Sequence, residues 1–379
     1  MIPYSKQTIE KADREALLDV LKSDWLTTGP KVEQFETKLA EKVRVDHVIA
    51  VNSGTAALHS MLKCSGIREG DEVIVPALSF VATANAILYC GAKPVFADID
   101  PETFLICPES VKSLVSRKTR AILAVDFGGQ PCDYEQLRGI ASNKDCYLFS
   151  DSSHSLGATW KTQAVAELCD ATIFSFHPVK PITTGEGGAV ATDHPLLMQR
   201  IKRFRNHGVT VDHSERREKG TWHYDVRDLG YNYRISDLQC ALGIAQLDRL
   251  DQWHKRRNQI AAIYSNSLAR CPNIQIQAKS PLCSHAYHLF TVCLDSAEER
   301  ERAFNKLRED GVGVNVHYRP IYQHSLYREL GYADGLCPNT ESVASRILSL
   351  PIYPTMSEED IQHVISSLGV AAPNARVAA

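Results

Sequence analysis

Seven short, continuously apolar segments lie in the first half of the chain and are separated mainly by segments of helical periodicity. They occupy residues 47–51, 72–75, 94–97, 121–125, 147–150, 172–176 and 188–191. Strands without polar alternation are typical of a sheet covered on both faces, and helical connections make neighbouring strands parallel. The sequence therefore predicts an α/β fold whose mostly parallel central sheet is flanked by helices.

The remaining pattern predicts two domains. A chain of 379 residues is too long for one small core. Helices are predicted at 10–23, at 32–43 and from about residue 54, and Ser236 is the predicted N-cap of a long helix that includes Trp253. We expect a large domain at 1–250 and a smaller α+β domain at 251–379, with the N-terminal segment as a candidate for packing on the small one. The small domain is predicted to contain strands at 290–294 and 312–317, a last helix capped at Ser357 and a frayed tail at 371–379.

Composition excludes several classes of protein. Hydrophobic and charged contents of 44% and 23% are those of a globular protein, and a net charge of -3 gives no electrostatic basis for binding nucleic acid or an anionic membrane. The eleven cysteines show no C-x-x-C spacing, which indicates free thiols in a reducing compartment. No export signal and no apolar segment of about 20 residues is visible. We therefore expect a cytoplasmic protein without a metal site.

Three polar segments follow predicted strands: residues 53–55, 151–154 and 175–180. Ligands of open parallel sheets bind at the carboxyl ends of the strands, so these segments are candidates for one site. Lys180 stands in a short loop with Ser175 five residues before it. A lysine there can form an imine with an aldehyde, and pyridoxal phosphate is the commonest aldehyde cofactor held in this way. An ordinary surface lysine is the alternative.

Other residues match the remaining parts of this cofactor. Gly54 permits close backbone approach, and Thr55 and Ala56 begin a helix whose N-terminus suits a phosphate, as does Ser175. A plain turn and a hydrogen bond within the loop are the alternatives.

Asp151, at the end of a strand, is a candidate partner of the ring nitrogen and should need a cationic partner of its own; it could equally be an N-cap. His154 is placed to reach the phenolic oxygen, or is a histidine bonded within the protein. Phe80 is placed to stack on the ring, or is a core residue.

Together these segments resemble the StrS/DegT group of nucleotide-sugar aminotransferases, a fold-type I family that depends on pyridoxal phosphate. The matching stretches cover essentially the whole chain: Ser53-Gly-Thr-Ala-Ala-Leu, Gly70-Asp-Glu-Val-Ile-Val-Pro, Asp151-Ser-Ser-His-Ser-Leu-Gly, Phe174-Ser-Phe-His-Pro-Val-Lys, Gly185-Glu-Gly-Gly and residues 205–208, 230–239, 285–290 and 350–354. One departure is Ser152-Ser153, where the family usually has two alanines, and we expect it to leave the chemistry unchanged.

The resemblance implies a role for each cofactor residue. Lys180 would carry the cofactor as an imine, Asp151 would meet the pyridine nitrogen, and Asn232 would reach the phosphate of a neighbouring subunit in a homodimer. The other implied contacts are His154 with the phenolic oxygen, Phe80 over the ring, and Thr55, Ala56 and Ser175 with the phosphate. Sugar dehydratases of the group have a histidine in place of the lysine, so the resemblance implies amine transfer.

The resemblance is strongest to the subgroup that aminates UDP-2-acetamido-2,6-dideoxy-β-L-arabino-hexos-4-ulose at C4 in the pseudaminic acid pathway, with L-glutamate as donor and 2-oxoglutarate as product. It implies a sugar site lined by Tyr4, Leu26, Thr27, Thr28, Gly29, His317, Tyr318, Arg319 and Pro320. Packing of Tyr4 and a backbone bond of His317 are the alternatives. The D-xylo epimer, a GDP-linked or another keto sugar, a pyridoxal enzyme that transfers no amine, and a non-catalytic regulatory protein also stay open.

Overall fold

A seven-stranded sheet forms the centre of the computed structural model, which describes residues 1–211, 216 and 220–369. In spatial order its strands are β1 (His47–Val51), β9 (Gly188–Thr192), β8 (Ala171–Ser175), β5 (Tyr147–Asp151), β4 (Thr119–Val125), β2 (Glu72–Pro76) and β3 (Lys93–Ala97). Each of the seven strands predicted in the first half of the chain is present within two residues of its predicted ends. The predicted α/β class is confirmed.

One strand of this sheet runs against the others. The pairs from β8 to β3 are parallel, whereas β9 is antiparallel to both β1 and β8. β9 follows β8 through a loop without a helix, so it returns in the opposite direction. That loop carries Lys180 back across the carboxyl ends of β5 and β8.

Helices cover both faces of the sheet. In chain order they are α1 (Lys11–Leu21), α2 (Pro30–Val43), α3 (Gly54–Cys64), α4 (Val81–Tyr89), α5 (Pro108–Leu114), α6 (Tyr134–Lys144), α7 (Val165–Leu168) and α8 (Pro195–Phe204). Alternate residues of β2 enter different cores: Val73 and Val75 pack with Leu62 of α3, and Ile74 packs with Leu137 of α6. This two-sided burial is why the polar residues of these strands lie mostly at or next to the strand ends.

The second half of the chain adds a smaller antiparallel sheet of β10 (Ile274–Ile276), β12 (Phe290–Leu294) and β13 (Ile347–Leu350). The helices of this second half are α9 (Asp237–Leu247), α10 (Leu250–Leu268), α11 (Ala297–Glu309), α12 (Ser325–Glu329), α13 (Pro338–Arg346) and α14 (Glu358–Ser367). A third sheet joins β11 (Cys283–Ser284) to β6 (Thr159–Trp160) and β7 (Gln163–Ala164). The N-terminal segment lies against this part, because Ile2 pairs with Val312 and the Ile352 N–H donates to the Tyr4 carbonyl at 3.2 Å. A domain boundary at 250/251 stays a prediction.

Three local predictions have different outcomes. Ser236 and Ser357 are N-caps with reciprocal bonds to Gln239 and Asp360, as predicted. The prediction of one long helix after Ser236 is wrong, since α9 ends at Leu247 and a new helix begins at Leu250.

The prediction of a strand at 312–317 is also wrong. Val312 and Asn315 make isolated bridges, to Ile2 and Ser349, and the residues between them are not in a strand. The predicted tail at 371–379 lies outside the described residues. No helix of the described residues is long and apolar enough to cross a membrane.

Candidate active site

The carboxyl ends of β5 and β8 bring the central polar residues together. Asp151 ends β5 and Ser175 ends β8, and the two strands are neighbours in parallel register. The loop from β8 to β9 supplies Lys180, whose amine interacts electrostatically with the Asp151 carboxylate. Parallel strands end at the same edge of a sheet, so segments that are far apart in sequence meet here.

Asp151 is buried, and both of its carboxylate oxygens accept hydrogen bonds. The Thr83 hydroxyl donates to Oδ2 at 2.8 Å, and the Ser153 hydroxyl donates to Oδ1 at 2.6 Å. The Ser153 N–H also donates to Oδ1, at 3.2 Å. Turns and not a helix follow Asp151, so it is not a helix N-cap. The expected cationic partner is Lys180, which interacts electrostatically with the Asp151 carboxylate.

Lys180 has an environment that favours its neutral amine. Burial lowers the pKa of Lys180 to about 8, and the Asp151 carboxylate opposes part of that shift. Loss of hydration disfavours an ammonium ion, which is the physical cause. With a pKa of about 8, about one tenth of this side chain is unprotonated at pH 7, far more than for an ordinary lysine, and a nucleophilic lysine needs this neutral form.

Three buried imidazoles, those of His154, His288 and His317, surround the lysine. Burial lowers the pKa of all three below the ordinary value, and the positive charge of Lys180 lowers each further. The rings of His154 and His288 lie 4.3 Å apart between centroids, and the Nδ1 atoms of both are buried without a hydrogen-bond partner. Neutral imidazoles offer hydrogen bonds here without adding positive charge beside the amine.

The turn from β1 to α3 approaches β8 and β9 closely. A Cβ added at Gly54 would lie 2.9 Å from the Cβ of Ser175, and one at Gly188 would lie 2.5 Å from the Ser53 carbonyl oxygen. The Ser53 hydroxyl caps α3 by accepting the Ala56 N–H at 3.1 Å. Gly54 therefore brings the predicted phosphate residues Thr55, Ala56 and Ser175 into one region.

Aromatic residues connect the predicted sugar segment to the cofactor residues. The Tyr318 hydroxyl lies 3.4 Å from Nε2 of His154, and its ring centroid lies 6.1 Å from that of Phe80. Phe80 is 57% exposed, so its ring is not the core residue of the alternative interpretation. The Tyr4 ring lies 5.6 Å from that of His317, whose Nδ1 shares a hydrogen bond of 2.7 Å with the Ser349 hydroxyl.

Other predicted residues lie apart from this group. The segment 26–29 contacts the start of α9: Leu26 accepts the Asp237 N–H, and Gly29 donates to the Asp237 carboxylate at 2.8 Å. Thr27 pairs with Ser236, Thr28 adopts a positive φ of 54°, and Arg319 is exposed while Pro320 is buried.

Asn232 is also exposed, with its carbonyl accepting from Asn52 Nδ2 at 3.2 Å. No bond from these residues to Lys180, Asp151 or His154 is found in the described part of the chain.

Sequence reasoning missed four polar residues beside Asp151 and His154. Thr83 and Ser153 contact Asp151 directly, and the Ser79 hydroxyl shares a hydrogen bond of 2.8 Å with that of Thr83. Ser79 and Thr83 interrupt an otherwise apolar segment, and this was the available signal. His288 lies within a matching stretch, but its spacing from His154 gives no sign that the two rings meet.

These residues fit pyridoxal phosphate. The site offers a lysine with a lowered pKa for the aldehyde and a buried carboxylate for the ring nitrogen. It also has an unpartnered His154 Nδ1 and a glycine turn that a Cβ would fill. No group of three or more His, Cys, Asp or Glu side chains that could hold a metal is present among residues 1–211, 216 and 220–369.

Comparison with known proteins agrees with this site. The profile of the DegT/DnrJ/EryC1/StrS aminotransferase family matches residues 7–369. The spore coat polysaccharide biosynthesis protein SpsC of Bacillus subtilis is 38% identical over 373 residues, covering 97% of this chain and 96% of that protein.

Two solved structures have similar folds. The putative sugar aminotransferase Spr1654 of Streptococcus pneumoniae, in its PMP form, superposes with a TM-score of 0.93 at 30% identity, covering 97% of this chain and 98% of that one. Helicobacter pylori PseC, an aminotransferase of pseudaminic acid biosynthesis, has a TM-score of 0.91 at 31% identity with the same coverage. The chain therefore belongs to the DegT/DnrJ/EryC1/StrS aminotransferase family and is a pyridoxal phosphate-dependent sugar aminotransferase.

Proposed function

We propose that this enzyme transfers the amino group of L-glutamate to C4 of UDP-2-acetamido-2,6-dideoxy-β-L-arabino-hexos-4-ulose. The observation that carries the proposal is the likeness to Helicobacter pylori PseC, which extends over 97% of the chain. The segment 317–320 supports it, since Tyr318 and His317 lie beside His154 and Lys180. A sugar bound by this segment would lie next to the lysine.

Different residues of the chain would have different roles at this site. Pyridoxal phosphate supplies an aldehyde that takes up amino groups and an electron-withdrawing ring that stabilises negative charge at the substrate carbon. Lys180, neutral above about pH 8 because burial lowers its pKa, would accept a proton from Cα of glutamate and deliver one to C4 of the sugar. Its position on one side of Asp151 would fix the face of the sugar that receives the proton.

The other residues would hold the cofactor. Asp151 would meet the ring nitrogen, His154 the phenolic oxygen, and Phe80 the face of the ring. Thr55, Ala56 and Ser175 would bind the phosphate at the N-terminus of α3. The neutral imidazoles of His288 and His317, buried beside Lys180, would exclude water and leave the lysine as the proton carrier.

A different sugar is the second candidate. SpsC of Bacillus subtilis, named for spore coat polysaccharide biosynthesis, is 38% identical to this chain, compared with 31% for PseC. The D-xylo 4-keto epimer or a GDP-linked keto sugar would use the same cofactor residues.

The deciding experiment is mass spectrometry of the product after incubation with glutamate, pyridoxal phosphate and one keto sugar. The L-arabino epimer, the D-xylo epimer and a GDP-linked keto sugar are tested in parallel. We expect a 4-amino sugar mainly from the L-arabino epimer, with one 2-oxoglutarate per amino sugar. Preference for another sugar would reassign the pathway, and an amino sugar from none of the three would mean that the enzyme acts on a keto sugar of another kind.

We further propose a homodimer in which Asn232 reaches the phosphate of the neighbouring subunit. Exposed apolar residues, including Phe80, Tyr89, Leu229 and Tyr231, support a partner surface. Mixing Lys180→Ala subunits with Asn232→Asp subunits tests it. In a mixed dimer with shared sites, one site has both substitutions and the other has neither, so activity should return. Lack of any recovery in mixed dimers would contradict the shared site.

We place the reaction in the cytoplasm. All eleven cysteines are free thiols in the structure, which supports a reducing compartment. Fractionation of cells that express the protein from its own promoter tests this location, with recovery in the periplasmic or medium fraction as the contrary result.

A further inference from the structure

The N-terminal segment, residues 2–8, contacts the loop between β8 and β9 that carries Lys180. We call this loop, residues 176–187, the lysine loop. The Ser5 hydroxyl donates to the carbonyl of Val179, the residue before Lys180, at 3.4 Å. Ser5 is buried, although it is separated from Val179 by 174 residues. The start of the chain is therefore held next to the lysine.

Gln246, near the end of α9, joins the N-terminal segment to the other side of the lysine loop. Its Nε2 donates to the Thr8 carbonyl at 3.0 Å, and its Oε1 accepts the Thr183 N–H at 3.4 Å. Gln246 is 1% exposed and Thr183 is 3% exposed, so water does not compete for these bonds. One buried side chain therefore holds the two segments together.

The N-terminal segment is itself fixed by contacts outside the lysine loop. At its start, Ile2 pairs with Val312. Beyond its end, the buried Asp13 carboxylate forms an ion pair with Arg249. Bonds within the loop, such as that from the Thr183 hydroxyl to the Phe176 carbonyl at 3.1 Å, hold its shape. The bonds to the N-terminal segment can in addition fix where the loop lies.

We propose that Gln246 is a positioning residue, which holds the lysine loop against the N-terminal segment and so keeps the Lys180 amine in place for proton transfer. This rests on the proposed role of Lys180 as the proton carrier. Proton transfer requires donor and acceptor within hydrogen-bond reach, and a small displacement lowers its rate strongly. Loss of the Gln246 bonds should therefore reduce turnover more than it reduces binding of the amino donor.

Gln130 offers a matched control. This side chain is also buried, and its amide makes the same two kinds of bond. Its Nε2 donates to the Ala278 carbonyl at 2.9 Å, and its Oε1 accepts the Ser280 N–H at 2.8 Å. These partners belong to neither the lysine loop nor the N-terminal segment. Gln246→Met and Gln130→Met therefore remove equivalent bonds at two places and keep a side chain of similar length.

Hydrogen–deuterium exchange measures how firmly the lysine loop is held. The full-length variants are loaded with pyridoxal phosphate, and the peptide 176–187 is followed by mass spectrometry. In Gln246→Met we expect this peptide to exchange about fivefold faster, the effect of losing one hydrogen bond. Gln130→Met should leave its exchange unchanged. Ser5→Ala, which removes the other bond to the loop, should give a smaller increase in the same peptide.

A single turnover with glutamate and no sugar measures the consequence for Lys180. At saturating glutamate, Gln246→Met should form 2-oxoglutarate about tenfold more slowly, with the KM of glutamate within about twofold of the wild-type value. Gln130→Met should keep the wild-type rate. The exchange readout uses neither glutamate nor sugar, so it decides this inference whether or not the proposed substrates are right.

Unchanged exchange of the peptide 176–187 in Gln246→Met, or an equal increase in Gln130→Met, would overturn the proposal. A wild-type rate in a Gln246→Met enzyme whose loop exchanges faster would also overturn it, since Lys180 would then tolerate motion of the loop. Thermal unfolding identifies a variant that fails to fold, and Ser5→Ala tests the same contact if Gln246→Met is unstable. Attachment of the cofactor to another lysine, located by borohydride reduction and peptide mapping, would overturn the role of Lys180 together with this inference.

Discussion

The proposed cofactor region and the proposed substrate region of this enzyme are built in different ways. The proposed cofactor region consists of Asp151, Ser175 and Lys180, at the ends of two neighbouring strands and in the loop that follows. The proposed substrate region consists of Tyr4 and of residues 26–29 and 317–320, which have irregular backbone. The first is fixed by strand pairing and the second by packing between distant segments.

This difference separates chemistry from specificity. A sheet buried on both faces, together with the loop that follows β8, holds Asp151 and Lys180 in one geometry. The same geometry can serve any sugar, as different members of one family require. Loops that contact one another through single side chains, such as Tyr4 with His317, can change without disturbing the sheet. Substitutions in the cofactor region should therefore reduce turnover of every substrate, and those in the substrate region should change mainly the sugar's KM.

The largest effect is expected from Lys180→Ala. Without an amine to carry protons at Cα and C4, turnover should fall by about 10³-fold or more. Formation of 2-oxoglutarate measures the loss, and circular dichroism checks the fold. Lys161→Ala, which removes an exposed lysine paired with Glu135, is the control and should retain activity. If Lys180→Ala kept a turnover near that of the wild type, the proposed role of Lys180 as the proton carrier would be wrong.

Asp151→Asn comes next. The substitution keeps the size of the side chain and an oxygen for Thr83 but removes the charge that would face the ring nitrogen. Turnover should fall by about 10²–10³-fold, as for other losses of a placed charge. Asp126→Asn should instead lower the melting temperature, because Asp126 is a buried structural carboxylate with four donors. Equal loss of turnover per folded molecule in both variants would contradict this distinction.

The lowered pKa of Lys180 predicts a pH-dependent stability. The unfolded lysine keeps its proton up to pH 10.5, whereas the folded lysine loses it near pH 8. The buried ammonium therefore destabilises the cofactor-free protein fully below pH 8, and this cost disappears as the pH rises to 10.5. Lys180→Met should raise the free energy of unfolding at pH 7 by about 1–3 kcal/mol.

Urea unfolding of the cofactor-free proteins at several pH values measures this difference between wild type and Lys180→Met. The stabilisation should shrink above pH 8 and vanish above pH 10.5. A constant difference at all pH values would mean that packing of the methionine, and not loss of the charge, causes it.

The smallest effect is expected in the substrate region. Tyr318→Phe removes the hydroxyl that lies near His154 and should raise the KM of the sugar by about five- to tenfold, with cofactor affinity unchanged. Tyr322→Phe is the matched control, since the Tyr322 hydroxyl donates to Glu341 at 2.6 Å outside the site. Loss of cofactor affinity in Tyr318→Phe would place this residue in the cofactor region.

Much of the fold follows from short-range sequence signals. The seven strands of the main sheet and the caps at Ser236 and Ser357 were predictable, because buried strands exclude polar residues and N-caps need a short hydroxyl side chain. The break between α9 and α10 and the absent strand at 312–317 were not. At both places tertiary contacts override the local preference of the chain.

The sequence by itself predicted the cofactor chemistry, because a lysine, an aspartate and a glycine turn at the ends of apolar strands together resemble one family of pyridoxal phosphate enzymes. Only the tertiary structure showed that Thr83 and Ser153 hold opposite oxygens of Asp151, and that His154 and His288 lie ring against ring. Strand ends converge by a general rule of parallel sheets. Side chains separated by 68 or 134 residues come into contact because of how helices and loops pack. No local sequence pattern encodes that packing.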